Sequence, residues 1–364
     1  MFAVKNQKKK TVMVALSGGV DSATTATLLK KGILGFGKNY EVMGGFLKLW
    51  SEGGKKQSNF KEAGERVKLV AKILKIPFYS FNLKKEFKKK IVDYFLSEYK
   101  VGNTPNPCVF CNRNIKFGFL LEKALKLKAD FLATGHYARI EKKKDGYHLL
   151  RAKDKEKDQS YFLWMLNQDQ LSRVLFPLAG FKKTEVLKMA KKFKLPVVLA
   201  LQSMEVCFIK NTVNEFLKKY LKEKPGQIIE KIGKKEKIIG EHQGLWFYTI
   251  GQRKGIKIAG GPYYVLKKDQ KRNILIVTKN EKDLFKEELL AKNINWILGK
   301  KPKLPLKIKA QIRYRQEAVP AVIKEVKNSQ RVRVIFKKAQ RAIAPGQSVV
   351  FFRAQEVLGG GIII

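Results

Sequence analysis

Along residues 11–135, short apolar runs alternate with amphipathic stretches. The runs Val12–Leu16, Tyr40–Trp50, Pro77–Phe81 and Ala129–Thr134 predict four buried strands. Between and after them, apolar residues recur at helical spacing and predict helices over 21–30, 60–74, 87–99 and 114–127. This alternation predicts an α/β fold with a doubly wound parallel sheet. Ligands of such sheets bind at the carboxyl ends of the strands, so we expect the site there.

The rest of the chain has a different pattern. A β-hairpin is predicted around 142–146. From about Asn211 the sequence pattern changes and predicts a short helix followed by turn-rich segments. Closely spaced strands follow and predict a small antiparallel β-barrel, at 307–313, 318–326, 331–336, 348–352 and 356–364. We therefore expect three domains: a catalytic domain over 1–210, a small central domain over 211–280, and a C-terminal barrel over 281–364.

Composition points to a polyanionic partner. The 364 residues contain 76 Lys plus Arg against 31 Asp plus Glu, a formal charge of +45. This excess favours RNA as a partner, although a general lysine bias would explain part of it. No apolar window approaches the roughly 20 residues of a membrane span. The apolar run after the basic N-terminus is too short for a signal peptide, which predicts a cytoplasmic protein without a membrane partner.

The segment Val12–Ser22 is typical of a phosphate-binding site. A short buried strand leads into Ser17-Gly-Gly19 and then into the first turn of a helix, where unpaired N–H groups and the helix dipole favour an anion. The string is neither a dinucleotide fingerprint nor a Walker motif. It resembles the pyrophosphatase loop of enzymes that cleave ATP to AMP and pyrophosphate. That resemblance implies that an oxygen of the substrate is adenylated.

Three cysteines are candidates for sulfur chemistry: Cys108, Cys111 and Cys207. Two prolines fix the loop before Cys111, and we expect a helix to begin near Asn112. A helix N-terminus lowers the pKa of a thiol, so Cys111 is a candidate thiolate nucleophile. A buried apolar role, or half of a zinc site on Cys108-x-x-Cys111, remains open, but the sequence supplies no second ligand pair for zinc. Cys207 lies in an apolar context that, taken alone, indicates a core residue.

Motifs along nearly the whole chain resemble the tRNA-uridine 2-sulfurtransferase (2-thiouridylase) family. They are Ser17–Ser22, Thr104–Phe117, Thr134–Arg139, Lys157–Leu163, Val206–Ile209, Tyr248–Gly255, Ile312–Gln316, Ala344–Ser348 and Leu358–Ile362. The resemblance implies an adenine-nucleotide alpha-hydrolase-like catalytic domain and thiolation of the wobble uridine, position 34 of tRNA.

The resemblance also implies a mechanism with ATP and Mg²⁺. It places ATP on Ala15, Leu16, Ser17, Gly18, Gly19, Val20, Asp21, Ser22, Leu47 and Gly135. The C2 oxygen of uracil is adenylated. Cys207 carries a persulfide received from a sulfur-relay protein or a cysteine desulfurase. Cys111 is the second catalytic thiol, which attacks the persulfide or resolves it as a Cys111–Cys207 disulfide.

The same resemblance assigns residues to the target base and to tRNA. They are Asn106, Pro107, Cys108, His136, Lys157, Asp158, Gln159, Arg313, Tyr314 and Gln347. Two positions depart from the family pattern. Cys108 stands where many members have Asp, which removes an acid–base carboxylate, and Leu47 replaces a usual methionine.

Alternatives remain at the level of mechanism and of function. Cys108, Cys111 and Cys207 together could hold an iron–sulfur cluster with one open iron, although we favour the persulfide. A small-molecule adenylating synthetase would lack the cysteine loops and the basic barrel. A non-catalytic RNA-binding protein would not need the intact Ser-Gly-Gly-Val-Asp-Ser string.

Overall fold

The computed structural model describes residues 9–33, 40–52, 55–196, 206–233, 235–256 and 258–364. Within these residues the strands form three sheets, of five, four and eight strands. The predicted architecture is confirmed: a parallel sheet flanked by helices, a small central unit and an antiparallel barrel. No helix in the described ranges is long and apolar enough to cross a membrane.

The first sheet is parallel and forms the base of the site. Up to residue 196 the described chain contains β1 (Lys10–Ala15), β2 (Tyr40–Lys48), β3 (Phe78–Asn82), β4 (Phe131–Ala133), β5 (Arg139–Lys143), β6 (Gly146–Leu150) and β7 (Val174–Leu175). The order of the sheet is β3-β2-β1-β4-β7. The chain therefore turns from one half of the sheet to the other between β1 and β4. Their carboxyl ends form the crevice in which such sheets bind ligands.

Helices cover both faces of this sheet. They are α1 (Val20–Lys31), α2 (Lys55–Leu74), α3 (Lys84–Phe87), α4 (Asp93–Lys100), α5 (Pro107–Phe110), α6 (Leu121–Lys126), α7 (Gln168–Ser172), α8 (Lys183–Lys192) and α9 (Val213–Tyr220). Because side chains of a strand alternate between faces, Val12 and Val14 pack with α1 and α2, whereas Met13 packs with α6 on the other face. π-helical segments, Lys88–Val92 and Cys111–Leu120, join α3 to α4 and α5 to α6.

The central unit is a four-stranded sheet with α9 beside it. Its strands are β8 (Gly226–Ile232), β9 (Lys235–His242), β10 (Tyr264–Asp269) and β11 (Ile274–Thr278), in the order β10-β11-β8-β9. Buried residues of this unit share one apolar cluster with α3, α4 and Cys111. The central unit is thus packed directly against the cysteine-bearing helix.

The barrel is built from β12 (Phe285–Trp296), β13 (Leu306–Gln311), β14 (Val319–Glu325), β15 (Val332–Arg341), β16 (Ser348–Arg353) and β17 (Glu356–Ile363). Pairing of β12 with both β15 and β17 closes it. The predicted hairpin is present as β5 and β6, but β6 pairs with β17 and extends the barrel sheet. Neither this pairing nor the strands β7 and β12 were predicted from the sequence, because none of the three is marked by local spacing of apolar residues.

Candidate active site

The loop after β1 is a tight turn closed by its own side chains. The Oγ of Ser22 accepts a hydrogen bond from the Ser17 N–H at 3.1 Å and donates one to the Gly19 carbonyl at 3.0 Å. Gly18 has φ +78°, and a Cβ there would lie 2.9 Å from the Ala63 carbonyl oxygen on α2. Only glycine fits both the backbone conformation and the space. The sequence Ser-Gly-Gly therefore dictates the shape of the loop.

Asp21, in the first turn of α1, is held by two residues that the sequence did not reveal. The hydroxyl of Tyr137 donates to its Oδ1 at 2.9 Å, and the Lys183 ammonium lies 2.5 Å from the same oxygen. Burial, together with the Asp21 charge, raises the pKa of Tyr137, so the hydroxyl stays a donor. Both partners come from distant parts of the chain, and only the fold brings them to Asp21.

Gly135 is the second residue after β4 and lies against the start of α1. A Cβ at Gly135 would lie 2.9 Å from the Asp21 carbonyl carbon and 3.0 Å from the Ser22 amide nitrogen. Leu47 lies on β2, pairs with Phe81 and packs against the apolar core. The strand ends that carry the predicted ATP residues thus lie side by side, and their contact with nucleotide stays a prediction.

Cys111 does not precede a helix, and the prediction of a lowered pKa was wrong. The helix begins at Pro107, so Cys111 lies inside it at the start of the π-helical segment. Its side chain is buried among apolar residues, and this burial raises its pKa to about 12, despite a lowering by the charge of Lys116. Burial likewise raises the pKa of Cys108 to about 11. A thiolate at either position therefore needs a nearby positive charge.

Cys207 lies close to the other two thiols. It is exposed in a turn, whereas the next two residues, Phe208 and Ile209, are buried in the cluster that contains Cys111. Cys207 also contributes electrostatically to the raised pKa of both Cys108 and Cys111. The fold thus brings the three predicted sulfur residues to one place, although Cys207 is far from the others in sequence.

The described residues contain no group of three His, Cys, Asp or Glu side chains that could hold a metal ion. In this conformation the three thiols therefore do not fit an iron–sulfur cluster.

The Lys219 ammonium and the Lys210 amide both contact Glu52, a buried residue after β2. Glu52 thus connects the strand that carries Leu47 to the turn that carries Cys207.

His136 and Lys116 form a further polar group beside the cysteines. The Nδ1 of buried His136 lies 2.6 Å from Thr134 Oγ1, and its Nε2 lies 3.3 Å from the Lys116 ammonium. Burial, together with the charge of Lys116, holds the pKa of His136 well below its usual value, so the imidazole is neutral. Lys116 was missed as a site residue, although it lies within the Thr104–Phe117 motif.

The barrel is attached to the cysteine segment by direct hydrogen bonds. The Thr104 amide donates to the Pro345 carbonyl at 2.8 Å, and the Gln347 side chain donates to the Thr104 carbonyl at 2.7 Å. Asn106 interacts with the hydroxyl of buried Tyr161, which also donates to the Ser348 carbonyl at 2.9 Å. The predicted base-contacting segment thus lies between the sheet and the barrel.

The residues predicted to contact tRNA occupy different surroundings. Asp158 is buried, and its carboxylate accepts hydrogen bonds from Arg151, the Ala152 amide and Ser160. The Gln159 side chain accepts the Tyr137 amide at 3.1 Å. The side chains of Asp158 and Gln159 are therefore engaged in hydrogen bonds within the protein, which hold their own segment in place. The half-buried ring of Tyr314 packs on Phe162 with centroids 4.5 Å apart and lines a cavity of about 340 Å³.

Of the remaining residues predicted to contact tRNA, one is held by a hydrogen bond within the protein and one is half-buried. The Arg313 guanidinium donates to the Ala342 carbonyl at 2.5 Å, and Lys157 is half-buried. Basic side chains of Arg151, Lys155, Lys309 and Arg315 line the same cavity, and the Arg315 guanidinium lies 5.4 Å from the centroid of the Tyr314 ring. Cations around an aromatic ring suit single-stranded nucleic acid.

Family models match the chain in three consecutive parts. They are the tRNA methyl transferase HUP domain over residues 10–211, the tRNA methyl transferase PRC-barrel domain over 214–279, and the aminomethyltransferase beta-barrel domain over 286–363. One solved structure, the U34-tRNA thiolase NcsA from Methanococcus maripaludis, is 21% identical, covering 53% of this chain and 59% of that one, with a TM-score of 0.36. That likeness is too distant to carry a conclusion.

Curated relatives match nearly end to end. The tRNA-specific 2-thiouridylase MnmA of Halothermothrix orenii is 44% identical, covering 97% of this chain and 98% of its own length. The protein of the same name from Syntrophomonas wolfei is 42% identical, with coverage of 97% and 99%. The tRNA-specific 2-thiouridylase MnmA 2 of Clostridium tetani is 42% identical, with coverage of 98% and 99%. The chain therefore belongs to the tRNA-specific 2-thiouridylase family.

Proposed function

We propose that this enzyme replaces the C2 oxygen of uridine 34 in tRNA by sulfur, in a reaction that converts ATP to AMP and pyrophosphate. The observation that carries the proposal is the meeting of the phosphate loop, Gly135 and the cysteines at one edge of the parallel sheet. Activation of an oxygen and delivery of sulfur require both parts within reach of one uracil.

The ATP phosphates bind over Ala15–Ser22, at the N-terminus of α1. Backbone N–H groups and the helix dipole stabilise their negative charge there. Asp21 has a carboxylate suited to Mg²⁺, and a bound Mg²⁺ would neutralise charge on the departing pyrophosphate. Lys183 and Tyr137 orient that carboxylate through hydrogen bonds.

Adenylation makes the uracil C2 oxygen a good leaving group. The oxygen attacks the α-phosphorus of ATP, and pyrophosphate departs. The sulfur arrives as a persulfide on Cys207, transferred from a sulfur-relay protein or a cysteine desulfurase. The thiolate of Cys111 attacks the inner sulfur on Cys207, the S–S bond of the persulfide breaks, and hydrosulfide leaves with the electron pair. It adds at C2, AMP departs, and a Cys111–Cys207 disulfide remains for a cellular thiol to reduce.

The RNA lies between the catalytic domain and the barrel. Asn106, Pro107 and Cys108 would surround the extruded base, because they lie on the same segment as Cys111. Tyr314 and the basic residues at its cavity would contact the neighbouring nucleotides. An iron–sulfur route on the three cysteines is the alternative mechanism, and it would need the thiols to move into a metal-binding arrangement.

The test is a reconstituted reaction. Protein, ATP, Mg²⁺, unmodified tRNA and a persulfide or sulfide donor are incubated, and the nucleosides are analysed by mass. We expect 2-thiouridine with tRNA carrying U34 and none with the same tRNA carrying C34. Absence of 2-thiouridine under both aerobic and anaerobic conditions would overturn the proposal. Full activity of Cys108→Ala, without bound iron, would exclude the cluster.

A further inference from the structure

Lys116 occupies a place that the proposed reaction does not yet use. It lies on the π-helical segment that begins at Cys111, and its side chain is half-buried. Its ammonium nitrogen is 3.3 Å from His136 Nε2. His136 follows Gly135, whose backbone lies against Asp21 and Ser22. The ammonium group thus contacts the residue next to Gly135, and its charge also acts on Cys108 and Cys111.

The imidazole of His136 fixes this ammonium group. An ammonium can only donate hydrogen bonds, so Nε2 must be the accepting nitrogen of the neutral ring. The proton is then on Nδ1, which donates to Thr134 Oγ1 at 2.6 Å. Thr134 comes directly after β4, and both it and His136 are buried. The position of the charge is thus set by two residues anchored at the end of a core strand.

The thiols need a nearby positive charge to form thiolates. Cys111 is buried and Cys108 is partly buried, and each is disfavoured as a thiolate by loss of solvent and by the neighbouring thiol groups. Lys116 is the residue whose charge favours the anionic form of both. A fixed charge in a site that excludes water stabilises developing negative charge strongly, because no solvent has to reorganise.

We propose that Lys116 stabilises the negative charge on sulfur during sulfur transfer, and that His136 is its positioning residue. The proposal deepens the function proposed above and rests on it. As the Cys111 thiolate attacks the inner sulfur on Cys207, charge moves from Cys111 to the departing hydrosulfide. The Lys116 charge, which favours the anionic form of Cys111, stabilises the negative charge as this transfer proceeds, and no proton or further electron is required from it.

The test separates the two chemical steps in the same enzyme. Persulfide-loaded protein, ATP, Mg²⁺ and unmodified tRNA are mixed for a single turnover, and pyrophosphate release and 2-thiouridine formation are followed separately. For Lys116→Met we expect 2-thiouridine formation to slow about 100-fold, the usual loss for a preorganised charge-stabilising group, with pyrophosphate release within about threefold of wild type. Lys116→Arg, which restores the charge, should recover at least about tenfold of the loss.

Controls keep the outcomes distinct. The matched control is Lys126→Met. Lys126 lies on α6, which continues the segment that carries Lys116, and it forms an exposed ion pair with Glu122. Its loss should leave both steps unchanged. His136→Ala should slow 2-thiouridine formation less than Lys116→Met does, because the charge remains but is no longer fixed.

Two results would overturn the proposal: equal loss of both steps in Lys116→Met, which would place the charge at ATP, or unchanged thiolation. Failure of wild-type protein to make any 2-thiouridine would instead refute the underlying function.

Discussion

The phosphate loop and the cysteine site lie at the same edge of one sheet, but the chain builds them in opposite ways. The loop is a continuous run, Ala15–Ser22, and hydrogen bonds between Ser17, Gly19 and Ser22 close it. The cysteine site joins a buried residue of one helix, Cys111, to an exposed residue of a distant turn, Cys207. The backbone turn of the first is closed by hydrogen bonds within Ser17–Ser22, whereas the second exists only after separate parts of the chain dock.

This difference has a consequence for function. Cys111 shares its apolar cluster with the central unit, and Thr104, on the same segment, is hydrogen-bonded to the barrel. Sulfur transfer should therefore depend on how the three parts are packed together. Activation of the uracil oxygen should depend mainly on the parallel sheet. Variants can be chosen to affect one step without the other.

Variants of the two proposed catalytic thiols should show the largest difference between loss of 2-thiouridine formation and loss of pyrophosphate release. Cys111→Ser and Cys207→Ser should each reduce 2-thiouridine formation by at least about 1000-fold, because a hydroxyl cannot carry or attack a persulfide. Pyrophosphate release in a single turnover should stay close to that of wild type. Nucleoside mass analysis and a pyrophosphate assay on the same samples measure both. Equal loss of both steps would show that the thiols are also needed for ATP activation, and would refute the division of the two steps between the phosphate loop and the cysteine site.

The phosphate loop should show the opposite pattern. Gly18→Ala forces a Cβ to within 2.9 Å of the Ala63 carbonyl oxygen at φ +78°. We expect both steps to slow about 100-fold and the free energy of unfolding to fall by about 1–3 kcal/mol, as for a strained left-handed residue. Gly180→Ala is the matched control, since a Cβ there meets nothing within 4 Å. Normal pyrophosphate release by Gly18→Ala would refute the role of this turn.

The same division explains what could be predicted from sequence. The loop, the parallel sheet and the barrel could be predicted because they follow from local spacing of apolar residues and glycines. Tyr137 and Lys183, which hold Asp21, could not, because only the fold brings them there. The error at Cys111 had a local cause. Pro107 was taken as part of an extended loop, whereas proline also favours the first turn of a helix, where it lies here.

A smaller effect is expected where the two regions are connected. Glu52 accepts the Lys210 amide at 3.3 Å, three residues after Cys207, and pairs with Lys219 on α9. Glu52→Gln should weaken the hold on the Cys207 turn and slow 2-thiouridine formation about tenfold, with pyrophosphate release unchanged. Glu223→Gln, which removes an exposed partner of Lys218, is the control and should be silent. Loss of pyrophosphate release in Glu52→Gln would mean that β2 transmits the change to ATP.

The smallest effect should lie outside both regions, at the junction of the hairpin and the barrel. The buried ring of His148 contacts Glu356 at 2.7 Å and Asp145 at 2.8 Å. Burial alone would lower the pKa of His148, but hydrogen bonds to these two carboxylates raise it above the usual value. A group whose pKa is raised on folding stabilises the fold below its unfolded pKa of about 6.5, and that stabilisation disappears as pH rises through the folded pKa.

Thermal unfolding of wild type and His148→Gln between about pH 5.5 and 9 measures this contribution. The Tm advantage of wild type should be greatest at the acidic end and shrink with rising pH. Because β6 pairs with β17 beside this ring, the change should be one of stability, and the ratio of pyrophosphate released to 2-thiouridine formed should stay constant. A Tm difference that grows with pH would show that the ring is neutral in the folded protein. A shift in the ratio would show instead that the barrel junction, as well as the cysteine helix, controls sulfur transfer.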